Sequence, residues 1–244
     1  MRYQMSKTRT PLVAYGGNLL GKLRPSHVLV VVANETRMLF SRLIIPRLTL
    51  GKKQFSLWNE QAEYFLHKYN TTWRNERAVE LSAAKRFLHD HPKGSLLEFG
   101  NVLAHYELGA PDIVVDLYEK GPRVTNVDII DFHSNEKFNS IISISTIEHV
   151  GWDEAPQSST KTKLALDRLI SLLSPDGVLF ITAPTGHNPY LDEIIRDGIP
   201  TMVRQSFLVR DGFEWTAQDE FVAIPYGSKG PGAASVWIAE IGSN

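Results

Sequence analysis

The feature that most constrains the fold of this chain is a series of short apolar segments, several of which end on a glycine or an acidic residue. They are Ser95–Gly100, Ile113–Asp116, Val127–Asp131, Ser140–Ser145 and Val178–Thr182. An apolar run of four to eight residues between turn residues is typical of a strand that is buried on both faces. The series therefore predicts a mostly parallel β-sheet that is covered by helices on both sides.

Segments with helical spacing separate these strands. Apolar residues recur at helical intervals from Ala78 to Leu88, and we expect this helix to be capped by Thr72 and to end at Asp90. Further helices are predicted at Ser159–Leu173 and Leu191–Arg196. The rest of the chain predicts antiparallel strands, at Ser206–Val209, Gly212–Thr216, Phe221–Ile224 and Ser235–Ile241.

The ends of the first three strands predict a ligand site, because open parallel sheets bind ligands beyond the carboxyl ends of their strands. Gly100 would let a backbone approach a ligand closely. Asp116 can accept hydrogen bonds from a ribose, and Asp128 can face an amino group of a base. A single acid after an apolar run is more often a turn or a helix cap, but three such ends in succession favour a site.

The charges of the chain are unevenly distributed. Residues 1–50 carry eight basic side chains and one acidic side chain, so the first fifty positions have a net charge of +7 and the remaining 194 have −8. We predict a basic N-terminal extension over residues 1–55 and a folded domain over residues 56–244. The extension either packs on the domain as ordinary structure, or contacts an anionic membrane or a second subunit.

The composition excludes several classes of protein. The chain has no cysteine, which rules out thiol chemistry, disulfide frameworks and zinc–thiolate sites. The apolar stretches near the N-terminus are shorter than the roughly 18–20 residues that a membrane span requires, and no signal-peptide pattern is present. A net charge of −1 argues against a dedicated nucleic-acid binder. We expect a cytoplasmic protein, associated with membranes if the extension binds them.

The motifs in these segments, and their order along the chain, resemble those of a known family. The matching motifs are Leu96–Gly100, Val114–Asp116, Asp128, Phe138–Ser143, Ile147–Val150 and Leu173–Leu179. They resemble class I S-adenosylmethionine-dependent methyltransferases, over residues 70–241. The resemblance implies a three-layer, Rossmann-like α/β fold with a mostly parallel seven-stranded sheet whose last strand is antiparallel.

The resemblance also implies where S-adenosylmethionine would bind. The implied contacts are Glu98, Gly100 and Asn101 for the methionine part, Asp116 for the ribose, and Asp128 and Ile129 for the adenine. From the residues themselves, Arg74 or Arg77 is a candidate partner of the cofactor's carboxylate or of an anionic substrate, with a solvated helix start as the alternative. The glycine-rich motif is degenerate, because Val102 and Ala104 stand where the family usually has its second and third glycines.

Polar residues after the fourth and fifth strands are candidates for the chemistry. The catalytic candidates are Glu148 and His149, and the acceptor-binding candidates are Trp152, Asp153, His187 and Asn188. Methyl transfer to a hydroxyl requires alignment of the reactants and removal of one proton. His149 is the candidate base because an imidazole titrates close to neutral pH, and local capping is its alternative role.

A magnesium site is left open by the sequence. Some related methyltransferases bind Mg²⁺ through carboxylates and a histidine at the position of His149. These enzymes carry a carboxylate three residues before the Glu-His pair, but Ser145 occupies that position here. Asp153 or Glu154 would therefore have to supply the missing carboxylate.

The sequence thus predicts an S-adenosylmethionine-dependent methyltransferase that acts on an oxygen of a small polar acceptor such as a sugar. Its partner is a small molecule and not a nucleic acid. An amine acceptor stays open, and the rival interpretation is a non-catalytic binding or scaffold protein that kept the fold. The substitutions at Val102 and Ala104 are the observation that favours the rival.

Overall fold

The computed structural model describes residues 44–91, 94–121, 123–230 and 232–243. The chain divides into two compact units, Met1–Ile45 and Pro46–Asn244, and every strand described below belongs to the second unit. Most of the basic extension lies outside the described residues, so its boundary at residue 55 and its roles in membrane contact or self-association stay predictions. Within the described ranges, no helix combines the length and apolar character needed to cross a membrane.

The described residues contain ten strands and four α-helices. The strands are β1 Gln54–Leu57, β2 Glu60–Glu63, β3 Leu96–Phe99, β4 Ile113–Val115, β5 Val124–Thr125, β6 Phe138–Ile144, β7 Leu173–Pro184, β8 Met202–Asp211, β9 Glu214–Gln218 and β10 Ser235–Gly242. The helices are α1 Ile45–Leu50, α2 Arg77–Asp90, α3 Ser159–Ser171 and α4 Pro189–Asp197. Short 3₁₀ segments lie at Tyr69–Arg74, Leu103–Tyr106 and Ile147–His149.

Eight of the strands form one sheet in the order β5-β4-β3-β6-β7-β10-β8-β9. The strands β5, β4, β3, β6 and β7 pair in parallel, whereas β10 is antiparallel to both β7 and β8. The predicted fold class is confirmed, including the antiparallel last strand. The sheet has one strand more than the seven that the resemblance implies, because β9, which overlaps the predicted strand Gly212–Thr216, pairs with β8 at the edge.

The strand order reverses between β3 and β6. From β3 the chain proceeds outward to β4 and β5, and then returns to place β6 on the other side of β3. The loops that follow β3 and β6 therefore leave the sheet in opposite directions and open a crevice between them. In open α/β sheets this is where a ligand binds.

Helices cover both faces of the sheet, as the buried character of its strands requires. Helix α2 packs with Ile142, Phe180 and Leu208 on one face, in a core that also includes β1 and β2. Helices α3 and α4 pack on the other face, where Leu97 and Phe99 contribute to the core.

Three local predictions are wrong. The third parallel strand is Val124–Thr125 and not Val127–Asp131, because the latter segment turns, with Asp128 Oδ1 accepting from the backbone N–H of Ile130. Thr72 does not cap α2, since its hydroxyl donates to the carbonyl of Phe65 and the cap position is Glu76. Phe221–Ile224 forms no strand, and Val222 accepts a bond from the Thr185 hydroxyl instead.

We expect Phe180→Ala to lower the free energy of unfolding by about 3–5 kcal/mol, the usual effect of a phenylalanine-sized cavity. Phe180 is fully buried between the sheet and α2, with its ring centroid 5.2 Å from that of Phe87. Urea denaturation measures the change. Tyr118→Ala is the control, because Tyr118 is 78 % exposed, and equal losses in the two variants would contradict the packing described here.

Candidate functional site

Glu98 lies on β3 and Gly100 follows it, at the point where the strand order reverses. Glu98 is 1 % exposed, and its Oε1 accepts bonds of 2.7 Å from the backbone N–H groups of both Val102 and Leu103. Its Oε2 has no hydrogen-bond partner among the described residues. A buried carboxylate oxygen without a donor is costly, so a ligand that donated a hydrogen bond to it would remove that cost.

Burial raises the pKa of Glu98 to about 7. The two backbone hydrogen bonds act in the opposite direction but do not outweigh burial. The negative charges of Glu119 and Asp116 contribute to the rise. Near neutral pH the carboxyl is therefore divided between its two protonation states, and a cation placed beside it would favour the charged state.

Gly100 adopts a backbone conformation with φ +88°, which side chains rarely tolerate. Its N–H donates to the carbonyl of Val115, at the end of β4. A Cβ atom at this position would lie 2.2 Å from Thr146 Oγ1, in the loop after β6. Glycine is thus required where the loops after β3 and β6 come together.

Two acids stand at the end of β4. Asp116 Oδ1 accepts from the N–H groups of Tyr118 and Glu119, which fixes the turn after the strand. Glu119 Oε1 lies 3.1 Å from Asn101 Nδ2 and 2.8 Å from His105 Nε2. Glu119 therefore joins the loop after β4 to the loop after β3. The sequence analysis did not single out Glu119, which stands three residues beyond the strand-end acid.

Asp128 and Ile129 lie farther along the same edge of the sheet. Asp128 pairs with Lys161 of α3 at 2.7 Å, and Lys161 also pairs with Glu154. Burial works to lower the pKa of Lys161, but its two acidic partners outweigh that effect and raise it. Ile129 is 1 % exposed and its side chain belongs to the core. The implied adenine contact of Ile129 would accordingly involve its backbone.

Arg77 lies at the start of α2 among acidic groups. Its Nη1 is 2.7 Å from Glu80 Oε2, and the alternative of a solvated helix start is wrong, because Glu80 is fully buried. Burial works to lower the pKa of Arg77, but the carboxylates of Glu80, Glu76 and Glu148 outweigh it and raise that pKa. Sequence reasoning missed Glu80, although its position four residues before Ala84 places it on the apolar face of the helix.

Glu148 is the other buried carboxyl without a complete set of partners. It is 1 % exposed, its Oε2 has no hydrogen-bond partner among the described residues, and its Oε1 is 3.6 Å from His149 Nε2. Burial raises the pKa of Glu148 well above its usual range, and the charge of Glu80 adds to the rise. The predicted pair of Glu148 and His149 thus combines a buried acid with an exposed imidazole.

His149 is held by Asp153. The distance from His149 Nδ1 to Asp153 Oδ2 is 2.6 Å, and the opposite oxygen, Oδ1, lies 3.5 Å from His187 Nε2. The two imidazole rings meet edge to face, with centroids 5.2 Å apart. Burial lowers the pKa of His187, and the neighbouring His149 lowers it further. Asp153 acts in the opposite direction but does not outweigh them. The structure thus brings together three of the predicted residues from two loops.

The remaining candidates have structural contacts. Asn188 is buried and caps α4, with Oδ1 accepting from the N–H groups of Tyr190 and Leu191 and Nδ2 donating to the carbonyl of Glu148. Trp152 lies in the loop after β6, where it is half-buried and its ring meets that of Tyr190 edge to face. Glu154 pairs with Lys161 and accepts from the N–H of Gly151. Its carboxylate therefore points to a lysine.

We expect Gly100→Ala to destabilise the protein more than Gly198→Ala. The two glycines have nearly the same φ, +88° and +86°, but a Cβ at Gly198 would meet nothing within 4 Å. The difference between the two variants in the free energy of unfolding isolates the clash with Thr146, which we expect to cost about 1–3 kcal/mol. Urea denaturation of both proteins gives the values, and equal losses would show that the loops do not meet closely.

We expect Glu98→Gln to change how stability depends on pH. A raised carboxyl pKa means that the folded protein binds the proton more tightly than the unfolded chain does. The resulting stability is present below the ordinary value of 4.5 and is lost as pH rises through about 7. The free energy of unfolding of the wild type should fall relative to that of Glu98→Gln across this range. Denaturation at pH 5 and pH 8 measures the difference, which a constant offset would contradict.

Comparisons with known proteins give structural matches only. No protein-family model matches the chain, and no curated protein matches it. Among solved structures, N-methyltransferase NodS from Bradyrhizobium japonicum WM9 is 16 % identical, with 69 % of this chain and 96 % of that chain covered at a TM-score of 0.44.

Two other matches are of the same kind. The 1,6-didemethyltoxoflavin-N1-methyltransferase of Burkholderia thailandensis is 17 % identical, covering 73 % of this chain and 84 % of that chain at a TM-score of 0.45. Magnesium protoporphyrin IX methyltransferase from Synechocystis PCC 6803 is 12 % identical, covering 86 % and 96 % at a TM-score of 0.43. These similarities carry no information about the acceptor of this chain. From its own strand order, with an antiparallel last strand between β7 and β8, the chain has the fold of class I S-adenosylmethionine-dependent methyltransferases.

Proposed function

We propose that this protein is an S-adenosylmethionine-dependent methyltransferase. The observation that carries the proposal is a buried carboxylate oxygen without a partner, two residues before Gly100, at the point where the strand order reverses. Glu98 stands on β3, and Asp116 and Glu119 stand in the neighbouring loop after β4, where their charges act on it. S-adenosylmethionine carries a sulfonium and an ammonium group, and this concentration of negative charge favours a cationic ligand.

In the proposed complex, each part of the cofactor meets a different loop. The methionine part lies by Glu98, Gly100 and Asn101, and the ribose hydroxyls bind Asp116, which has used only Oδ1 in its turn. The adenine lies toward Asp128 and the backbone of Ile129. Arg77 binds the cofactor's carboxylate, to which its guanidinium can donate paired hydrogen bonds.

For the reaction we propose methyl transfer to an oxygen of a small polar acceptor, such as a sugar hydroxyl. The contact of 2.6 Å between Asp153 and His149 Nδ1 orients the ring, so that Nε2 can remove the acceptor's proton. His187 and Trp152 stand at the same rim and would contact the acceptor. Mg²⁺ is not included in this mechanism, because Asp153 faces two imidazoles and Glu154 pairs with Lys161.

The second candidate is a non-catalytic binding or scaffold protein. It is favoured by the loop after Gly100, where Val102 replaces a usual glycine and its N–H is bonded to Glu98. Calorimetric titration of S-adenosylmethionine into the purified protein separates the two candidates. A micromolar dissociation constant supports the enzyme, whereas an absence of measurable heat favours the scaffold.

We expect His149→Ala to lower the rate of methyl transfer about 10²–10⁴-fold while the affinity for S-adenosylmethionine stays within about twofold. The reason is that His149 acts on the acceptor and does not contact the cofactor in this proposal. The assay follows S-adenosylhomocysteine formation with a panel of monosaccharides and, for comparison, amino sugars.

The matched control is His89→Ala, because His89 is 89 % exposed and pairs with Asp90 on the outer end of α2. It should keep the full rate. A His149→Ala variant as fast as the wild type would remove His149 from the mechanism, and methylation confined to the amino group would replace oxygen by nitrogen as the acceptor atom.

A further inference from the structure

The cluster of His149, Asp153 and His187 has a property that proton transfer alone does not explain. Each residue offers one atom that can bind a metal ion, and these three atoms all lie within 4.8 Å of one another. Asp153 is central, since its two oxygens face the two imidazoles separately, at 2.6 Å and 3.5 Å. A general base needs only one of these imidazoles.

The second observation concerns His187 Nε2. This nitrogen is buried, and it has no hydrogen-bond partner among the described residues, although Asp153 Oδ1 is only 3.5 Å away. The ring is confined by edge-to-face contacts with His149 and Tyr226, at centroid distances of 5.2 Å and 5.4 Å. A confined, buried and unpartnered nitrogen beside a carboxylate calls for an explanation, and an absent ion is one of the known explanations.

We propose that His149, Asp153 and His187 bind a divalent first-row transition-metal ion. Bonds from such an ion to nitrogen and oxygen are about 2.0–2.2 Å, so two ligand atoms of a tetrahedral ion are about 3.3–3.6 Å apart. The three ligand atoms, which lie within 4.8 Å of one another, would therefore close by up to about 1.5 Å on binding the ion. Rotation of His149, whose side chain is 52 % exposed, can supply the contraction.

The ligand set also indicates which ions fit. Two imidazoles and one carboxylate suit zinc, iron, cobalt or nickel, whereas Mg²⁺ prefers a shell of oxygen atoms. Glu154 is directed at Lys161 and Gly151, so it adds no oxygen to the cluster. The inferred site therefore differs in two ways from the magnesium site that the sequence left open. It binds a transition-metal ion instead of Mg²⁺, and of the two candidate acids it uses Asp153 but not Glu154.

This inference rests on the acceptor side of the proposed active site, but its test does not require methyl transfer. The loops after β6 and β7 supply the ligands, at the edge of the sheet where the acceptor would bind. A bound ion would become the partner of the His149 nitrogen that now faces Asp153. Metal binding and cofactor binding can then be measured independently.

The test is calorimetric titration of chelator-treated protein with Zn²⁺, and with Co²⁺ while its visible absorption bands are recorded. We expect one ion per chain and bands typical of nitrogen and oxygen ligation. His187→Gln and Asp153→Asn should each weaken Zn²⁺ binding by more than the roughly 10–100-fold that loss of an outer-shell partner costs. Mg²⁺ should give no comparable heat.

The control is His89→Gln. His89 and Asp90 form an exposed pair at 3.2 Å, and no third ligand is grouped with them, so this variant should bind Zn²⁺ like the wild type. Thermal unfolding verifies that the variants fold. If His187→Gln does not fold, Asp153→Asn still tests the site, because the Asp153 side chain is 47 % exposed.

Absence of Zn²⁺ and Co²⁺ binding to the wild type, or equal affinity in Asp153→Asn, would overturn the inference. Binding of S-adenosylmethionine to the metal-free protein would leave the proposed function intact in that case. Conversely, Zn²⁺ binding without cofactor binding would support the metal site and count against the methyltransferase.

Discussion

The carboxylate of Glu80 connects helix α2 to β6 and β7, the strands whose following loops carry the candidate site. Its Oε1 accepts bonds from the hydroxyls of Ser145 and Thr182, which stand at the ends of β6 and β7, and its Oε2 pairs with Arg77. A fully buried charge is tolerated only with such a set of partners. Helix α2, the crevice and Arg77 therefore hold their positions through one side chain.

This connection organises the charges around the crevice. Three buried acids, Glu76, Glu80 and Glu148, act on the guanidinium of Arg77, and Glu76 also acts on that of Arg210. Glu80 is satisfied and Glu76 accepts from the N–H of Ala233, but Glu148 retains an oxygen without a donor. Because burial raises the pKa values of Glu148 and Glu98, a positively charged ligand beside either carboxyl would favour its charged state.

The sequence predicted the sheet better than the site. Buried parallel strands have a pattern that is local and visible, so β3, β4, β6 and β7 were recognised. The strand Val124–Thr125 was missed because two residues carry no periodicity. Glu80 and Glu119 were missed because their importance depends on residues 65 and 14 positions away, Ser145 and His105. The pairing of Asp153 with His187 likewise arises only when two loops meet, which no spacing along the chain reveals.

The position of the last strand has a consequence for how the chain reaches its folded state. Because β10 lies between β7 and β8, neither of those strands has both of its neighbours until residues 235–242 have been synthesised. A nascent chain that ends before them exposes two unpaired strand edges, which readily pair with other chains. Folding of the sheet therefore cannot be completed before residues 235–242 have been synthesised, and a ribosome that stalls near residue 230 would release an aggregation-prone fragment.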